Sequence, residues 1–252
     1  MTAGLMAFVF GAALGVEFVN AALGMGWGTI LTPALILLGI PAVEAVPAVL
    51  LSQAAGSVAA SLSHARFGSA SFKAGSVELR TAGLVAGLGC VAAVVAALAA
   101  VRVPAAVLDT YVGLLVSLMG AVILLGGRFR FAWNRLVAVA LVSAFNKGLS
   151  GGGFGPIVTG GQIMAGQEQK KAIATTLLSE VPICLAGFLA YAWARAVTPP
   201  ALELSAILIL GAVIAAPLGA YATKRLQGTA VRLMVGLLIL ILGFWTLLRT
   251  WV

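Results

Sequence analysis

A lysine and a cluster of glycines interrupt an otherwise apolar stretch between residues 140 and 165. The lysine is Lys147, and one helical turn later come the glycines Gly151, Gly152, Gly153 and Gly155. An ammonium group in hydrocarbon costs roughly 3 kcal/mol or more, and a glycine inside a helix costs about 1 kcal/mol relative to alanine. The pattern therefore predicts a helix that is broken within a membrane and carries a charge beside the break.

A second glycine cluster lies 127 residues earlier in the chain. This offset aligns residues 23–32 with residues 150–159, and it places Trp27 on Phe154. The earlier cluster contains Gly24, Gly26 and Gly28. Two clusters at matching positions, each followed by a short apolar run, predict a pair of broken helices. The two aromatic residues either shape the cavity between the breaks or serve ordinary helix packing.

The chemistry that two such breaks provide suits an anion. The short helix after each break begins with backbone N–H groups that have no partner inside the helix, and with the positive end of the helix dipole. Thr29 and Ser150 flank the breaks, and their hydroxyl groups either donate to the same ligand or bond back to their own helix. The alternative interpretation of the glycines is that they only allow helices to pack closely.

Three further polar positions and two carboxylates fall inside apolar segments. Ser52 and Gln53 match Ser179 and Glu180 at the same offset, at about the middle of their segments. Because desolvation disfavours an ionised carboxylate, Glu180 and Glu17 are candidate proton carriers. Lys147 either contacts the anion or forms a static pair with one of these carboxylates, which would keep that carboxylate ionised.

The composition defines the class of protein. Of the 252 residues, 62% are hydrophobic and 9% are charged, and the mean hydropathy is +1.14. Soluble domains have about 45–50% apolar residues, so the chain is predicted to be an integral membrane protein in contact with lipid. The net charge of +8 comes from basic residues scattered in short loops, which argues against nucleic acid as a partner. Cys90 and Cys184 form no metal-binding pattern, and we expect neither a metal nor a cofactor.

The chain divides into two membrane repeats, residues 1–127 and 128–252, each with five apolar segments. In each repeat a broken or re-entrant helical hairpin is followed by three transmembrane helices. Full crossings are expected near residues 4–23, 43–63, 81–101, 105–126, 135–149, 172–194, 201–221 and 230–248. The runs 29–40 and 156–165 are too short to cross.

The positive-inside rule gives the orientation of the two repeats. If the loops that contain residues 66–80 and 128–135 are cytoplasmic, eleven of the 15 basic residues lie inside and both termini lie outside. The repeats then have inverted topology, as in many transporters that bind substrate near the membrane centre. His64, the single histidine, lies beside Arg66 near the cytoplasmic end of its segment and is interpreted as an interfacial residue.

A glycine-rich break, an apolar run, and then a segment with proline, alanine and a central serine, all repeated once, resemble the TauE/SafE sulfite exporter family. The resemblance covers essentially the whole chain. It implies transport of a small sulfur-containing or organic anion, such as sulfite or an organosulfonate, commonly outward across the bacterial inner membrane. Met25 and Trp27 depart from the more glycine-rich first cluster of the family, and bulky groups there would narrow the pocket.

These observations favour a secondary transporter that exports a small anion by alternating access, coupled to protons or driven by the membrane potential. The alternatives are an anion channel and an uptake permease for a different small anion. We do not expect an enzyme, because the sequence has no nucleophile–base pair and no metal cluster. The sequence also lacks a P-loop, so ATP-driven transport would need another subunit.

Overall fold

The computed structural model describes residues 3–125, 136–223, 225 and 229–252. Within these ranges the chain forms ten α-helices and no β-strand, which confirms the predicted all-α class. The predicted boundary at residues 127 and 128 lies outside them, as do Arg128, Arg130, Arg135 and Lys224. The helices are α1 (Ala3–Leu23), α2 (Trp27–Leu37), α3 (Ala42–Arg66), α4 (Val77–Ala100), α5 (Ala105–Leu125), α6 (Leu136–Ser150), α7 (Phe154–Met164), α8 (Gln169–Trp193), α9 (Pro199–Ala222) and α10 (Thr229–Trp251).

Seven helices in the described part are long and apolar enough to cross a membrane, and these are α1, α3, α4, α5, α8, α9 and α10. The short runs form α2 and α7, with 11 residues each. The run 135–149 was expected to cross as well, but α6 has only 15 residues in the described part. Because α6 begins at the first residue of the described range 136–223, the crossing expected for this run stays a prediction.

α1 and α2 form a hairpin that returns the chain to the face where it began. Val9 near the start of α1 packs in one core cluster with Leu35 near the end of α2 and Leu204 at the start of α9. At the other end of α2, the Trp27 indole nitrogen donates to the carbonyl of Val49 (3.3 Å) in the first half of α3. α2 therefore runs antiparallel to α3, from the interior back to the face where α3 begins.

The second half repeats this arrangement with other partners. α6 packs on α4, and α7 packs on α6 and α8. Gly148 lies so close to α4 that a Cβ there would come within 2.8 Å of the Ala93 Cα. In lipid the hydrophobic effect does not drive helices together, so close backbone contacts of this kind stabilise their association.

α3 and α8, the equivalent helices of the two halves, lie antiparallel at the centre of the bundle. Gln53 contacts Glu180, and Leu50 lies against Gly187. α9 packs on α3 and α1, while α4 packs on α8 and α6, so each half covers the centre in the same way. The core of the molecule is this set of six helices, and the two hairpins meet inside it.

The two faces of the bundle carry different charges. On the terminal face, α1 and α3 begin and α10 ends, with Arg249 bonded to the end of α2. On the basic face, α3 and α9 end and α4 and α8 begin, as the Phe67–Tyr221 ring contact and the Lys171–Glu78 ion pair (3.4 Å) demonstrate. The described ends and loops on the basic face contain Arg66, Lys73, Arg80, Lys170, Lys171 and Arg225.

Candidate functional site

At both helix breaks a glycine with positive φ precedes the short helix. Gly26 is the N-cap of α2 with φ 127°, and Gly153 is the N-cap of α7 with φ 80°. Residues with a side chain rarely adopt such angles, so glycine is what lets the chain reverse here. The Ser150 hydroxyl closes the second break, because it accepts from the Gly152 N–H (3.2 Å) and donates to the carbonyl of Asn146 (2.8 Å).

The breaks also interlock backbone against backbone. Gly28 of α2 lies on Gly151, and a Cβ on Gly28 would come within 2.9 Å of the Gly152 nitrogen. Gly155 of α7 lies on Gly24 in the same way, and a Cβ on Gly155 would come within 2.9 Å of the Met25 Cα. Both interpretations of the glycines are therefore represented: some permit the reversal of the chain, and others permit the close approach of the two hairpins.

Two threonines join the hairpins across the same contact. Thr159 donates from its hydroxyl to the Gly24 carbonyl at 3.0 Å. Thr32, at the equivalent position of the first half, lies against Gly151 instead, and its hydroxyl has no hydrogen-bond partner among the described residues. The geometry of the contact is shared by the two halves, but its hydrogen bonding is not.

A small cavity lies between the interlocked breaks. Its volume is about 10 Å³, close to the minimum that a single water molecule needs. A cavity of this size holds no more than about one water molecule, so a larger ligand requires its walls to move apart. It is lined by Asn20, Gly26, Trp27, Gly28, Thr29, Gln53, Lys147, Gly152, Gly153, Phe154, Gly155, Pro156 and Glu180.

The first turns of α2 and α7 both border this cavity. The first helical bond of α2 runs from the Ile30 N–H to the Gly26 carbonyl (2.8 Å), so the N–H groups of the three residues before Ile30 precede the helical ladder. In α7 the third residue is Pro156, which has no N–H to leave unpaired. The positive ends of two helix dipoles thus meet at one place, and an anion is what such a place stabilises.

A buried ion pair stands at the side of the cavity. The Lys147 ammonium lies 3.2 Å from Oε1 of Glu180, and it also donates to the side-chain oxygen of Gln53. Gln53 in turn donates to Oε2 of Glu180 at 2.7 Å. All three residues are at most 2% exposed. The pairing alternative for Lys147 is therefore observed, with Glu180 as the partner, and it forms part of the cavity wall.

A second buried carboxylate, that of Glu17, lies behind the residues that line the cavity. Glu17 is fully buried and accepts from the Asn20 amide (3.1 Å), while its Oε1 has no hydrogen-bond partner among the described residues. Glu17 packs against α3 at Gly56, where a Cβ would come within 3.3 Å of the carboxyl carbon. Glu17 itself does not line the cavity, but its hydrogen-bond partner Asn20 does.

The structure gathers most of the predicted site residues at the cavity. Those that line it are Gly26, Trp27, Gly28, Thr29, Gln53, Lys147, Gly152, Gly153, Phe154, Gly155 and Glu180. Ser52 and Ser179 bond back to their own helices, to the carbonyls of Ala48 (2.8 Å) and Thr176 (2.7 Å). Gly24, Ser150 and Gly151 build the breaks without lining the cavity.

The site residues predicted from the sequence include neither Ser57 nor Asn20. The Ser57 hydroxyl lies 3.5 Å from Oε2 of Glu180. Its position one turn after Gln53, on the same face of α3, is the signal that would have found it. Asn20 stands 127 residues before Lys147, the spacing that also separates Gln53 from Glu180. Applied to single residues, the repeat offset would have identified it as part of the site.

The sequence of the chain matches the family model described as sulfite exporter TauE/SafE over residues 8–246. The chain belongs to this family. It is also 26% identical over 254 residues to the probable membrane transporter protein YtnM of Bacillus subtilis (strain 168), a match that covers 94% of this chain and 80% of the relative. No solved structure matches the chain. Membership confirms the predicted resemblance and makes the protein a membrane transporter of the TauE/SafE type.

Proposed function

We propose that the protein is a secondary transporter that exports a small sulfur-containing or organic anion, such as sulfite or an organosulfonate. The observation that carries this proposal is the cavity in which the first turns of α2 and α7 meet beside the Lys147 ammonium. Two helix N-termini and one ammonium group provide positive potential and donors for the oxygens of one small anion. The carboxylate of Glu180, which forms an ion pair with this ammonium group, lies in the same cavity wall.

Glu180 acts as an internal anion that the substrate replaces. In the closed state its carboxylate accepts from Lys147 and from Gln53. When Glu180 binds a proton, its attraction for the ammonium falls, and a substrate anion takes over the contact with Lys147. Proton binding and anion binding therefore favour each other, so the anion and a proton cross together, and the outward concentration gradient of the anion drives export. Because the wall then holds one uncompensated positive charge, a monovalent anion fits it best.

Alternating access follows from the inverted relation of the two halves. The antiparallel packing of α3 on α8 and the reciprocal contacts Gly28–Gly151 and Gly155–Gly24 support that relation. The basic face is the cytoplasmic face of the bacterial inner membrane, and both chain ends are external, in accordance with the positive-inside rule. The hairpins separate toward one face at a time, because a cavity of about 10 Å³ holds no sulfonate when it is closed.

A screen of the purified protein tests the substrate class. Thermal shift and flux in proteoliposomes are measured with sulfite, methanesulfonate, sulfoacetate, thiosulfate, sulfate, taurine and simple carboxylates. We expect stabilisation and saturable flux with sulfite or a sulfonate. Flux that rises linearly with concentration would indicate a channel, and a preference for cations would refute an anion site.

Labelling of single cysteines tests the inversion. Positions in the loop 67–76 and in the loop 194–198 join helices that hold equivalent places in the two halves. We expect a membrane-impermeant reagent to reach the loop 194–198 from outside intact cells and the loop 67–76 only after permeabilisation. Labelling of both loops from the same side would refute inverted topology.

A further inference from the structure

A polar stripe follows one face of α3 from the cavity to the basic face. It begins at Gln53, passes Ser57 and Ser61, and ends at His64, with spacings of four, four and three residues. Such spacings keep side chains on one side of a helix. All four side chains are at most 3% exposed. A continuous row of buried polar groups is costly in a membrane bundle, which makes it a functional feature by default.

The equivalent face of α8 is not polar. The repeat offset places Glu180 on Gln53, and it places Cys184, Phe188 and Tyr191 on the two serines and the histidine. Cys184 and Tyr191 belong to the main hydrophobic core, with Phe188 packed against it. The Tyr191 hydroxyl donates to the carbonyl of Gly148 (3.1 Å), which ties α8 to α6. The polar stripe on α3 therefore leads from the cavity to the basic face, and the equivalent face of α8 has no such stripe.

Each end of the stripe has a group that can exchange a proton. At the inner end, Ser57 lies 3.5 Å from Oε2 of Glu180. At the outer end, Nε2 of His64 lies 2.8 Å from the carbonyl of Ala21, and Nδ1 has no hydrogen-bond partner among the described residues. If Nε2 carries the hydrogen of that bond, Nδ1 is free to accept a proton while the bond to α1 stays intact.

From this arrangement we infer that protons reach Glu180 from the basic face along α3, with His64 as the entry group and the Ser61 and Ser57 hydroxyls as the relay. The inference rests on the proposed function, because it supplies the proton that Glu180 binds there. His64 is buried in this structure, so a proton from the basic face reaches its Nδ1 through water admitted between the ends of α1 and α3. Hydrogen-bonded water then carries the proton past the serines, which stand one turn apart. It ends on Oε2 of Glu180, and His64 returns to its neutral form.

Three other charged side chains lie near the two ends of this route. Glu17 on α1 and Lys147 on α6 face the inner end, beside Glu180 on α8. Arg66 is exposed just beyond the outer end of α3. The remaining charged or titratable groups on α3 and on the helices packed against it are Glu44, Asp109, Tyr111, Lys170, Lys171, Cys184, Tyr191, Glu203 and Tyr221.

His64→Gln is the variant that separates a relay from a structural role. The Gln amide N–H can keep the hydrogen bond to the Ala21 carbonyl, but an amide does not bind a proton near neutral pH. Proteoliposomes with an entrapped pH dye are driven by a gradient of sulfite or methanesulfonate, and proton flux is followed together with anion affinity. We expect proton flux to fall at least about tenfold, while the Kd for the anion stays within about twofold of wild type.

A matched pair of serines on α3 provides the control. Ser61 on the stripe bonds back to the carbonyl of Val58 (3.1 Å), and Ser63 off the stripe bonds back to that of Ala59 (2.7 Å). Both alanine variants remove a hydroxyl that serves its own helix, so a packing effect would be similar. We expect Ser61→Ala to slow proton flux and to increase its solvent isotope effect, and Ser63→Ala to behave as wild type.

The outcomes separate this pathway from the function on which it depends. Wild-type proton flux and pH dependence in His64→Gln, or equal slowing by the two serine variants, would overturn the pathway and leave the anion site untouched. Failure of the wild-type protein to bind or move either anion would overturn the proposed function, and the pathway with it. Loss of both anion affinity and thermal stability in His64→Gln would mean that the histidine is structural, which also overturns the pathway.

Discussion

The two halves of the protein build the site with the same backbone and with different side chains. Both place a glycine N-cap at the start of a short helix, and both press a glycine of that helix onto the opposite break. At the equivalent wall positions, however, the first half has the neutral amides of Asn20 and Gln53, whereas the second half has Lys147 and Glu180. Both halves contribute backbone to the cavity, and at the cavity wall the second half contributes the two ionisable side chains.

This difference teaches where symmetry is useful to a transporter and where it is not. Matching backbones allow similar openings toward the two faces. Matching charges would place two ammonium groups and two carboxylates in one small cavity, and their mutual repulsion and desolvation would be severe. Two neutral amides can hydrogen-bond the ion pair from the opposite half instead, as Gln53 does for both of its members.

The largest expected effect comes from removal of the positive charge. We expect Lys147→Met to weaken binding of methanesulfonate by roughly 100-fold, because a buried charged partner of an anion contributes several kcal/mol. Lys147→Arg should retain most of the affinity. Isothermal titration of well-folded protein measures both. Equal affinity in wild type and Lys147→Met would remove the lysine from the site.

Lys147→Met also leaves Glu180 without its partner, so a charge-balanced control is needed. Breaking a buried pair from one side costs about 3–5 kcal/mol of stability. The double variant Lys147→Met with Glu180→Gln relieves that cost and should still fail to bind the anion. A sharper version moves the charge to the other half: Asn20→Lys added to Lys147→Asn should regain at least about tenfold in affinity, if the two wall positions are equivalent.

The next effect concerns pH. In the proposed mechanism a proton on Glu180 releases Lys147 to the substrate, so the affinity of the wild type for methanesulfonate should rise as pH falls. Glu180→Gln resembles the protonated form, so its affinity should equal the acidic wild-type value at every pH between about 5 and 8. Titrations across this range measure the difference. An unchanged pH dependence in Glu180→Gln would point to Glu17 as the carrier.

The same pair offers an exchange between the halves. Gln53→Glu combined with Glu180→Gln moves the carboxylate to the equivalent place on α3, where the Lys147 ammonium already reaches the Gln53 side chain. We expect the exchanged protein to recover a pH-dependent affinity. A flat profile would show that the carboxylate has to stand on α8.

A smaller effect is expected from the interlocked glycines. A methyl group on Gly28 would overlap the Gly151 backbone, so Gly28→Ala should cost about 1–3 kcal/mol of stability and lower the melting temperature in detergent. Gly155→Ala should behave alike, because its contact with Gly24 is equivalent. Gly160 on the same helix has no atom within 4 Å of the added Cβ, so Gly160→Ala should stabilise the protein by about 0.4–1 kcal/mol.

The smallest effect distinguishes the two threonines. Thr159→Val removes the hydrogen bond to Gly24 and leaves that carbonyl unpaired, at a cost of about 1 kcal/mol. Thr32→Val removes a hydroxyl without a partner among the described residues, so it should be neutral or slightly stabilising. Thermal melting of the two variants checks this. An equal loss in both would mean that Thr32 makes a hydrogen bond in a state other than the closed one.

Much of the fold was predictable because its signals are local. An apolar run of about 20 residues in a membrane has to be a helix, since no water is present to satisfy its backbone. The glycine clusters predicted both breaks, and the breaks fall at Gly26 and Gly153 as N-caps. The repeat offset aligned Gln53 with Glu180, and in the structure these two side chains are hydrogen-bonded to each other. The break at Gly151 ends α6 at Ser150, one residue from the predicted end of the run 135–149.

The sequence by itself therefore determined the class of protein, the helix breaks, and a lysine and a carboxylate as the chemistry of the site. Only the tertiary structure decided which carboxylate pairs with Lys147, and that Glu17 stands behind Asn20. It also decided that Ser52 and Ser179 turn back to their own helices and that His64 is buried at the end of a polar row. These outcomes depend on how helices rotate and cross, and in lipid those angles are set by the packing of small residues distant in sequence.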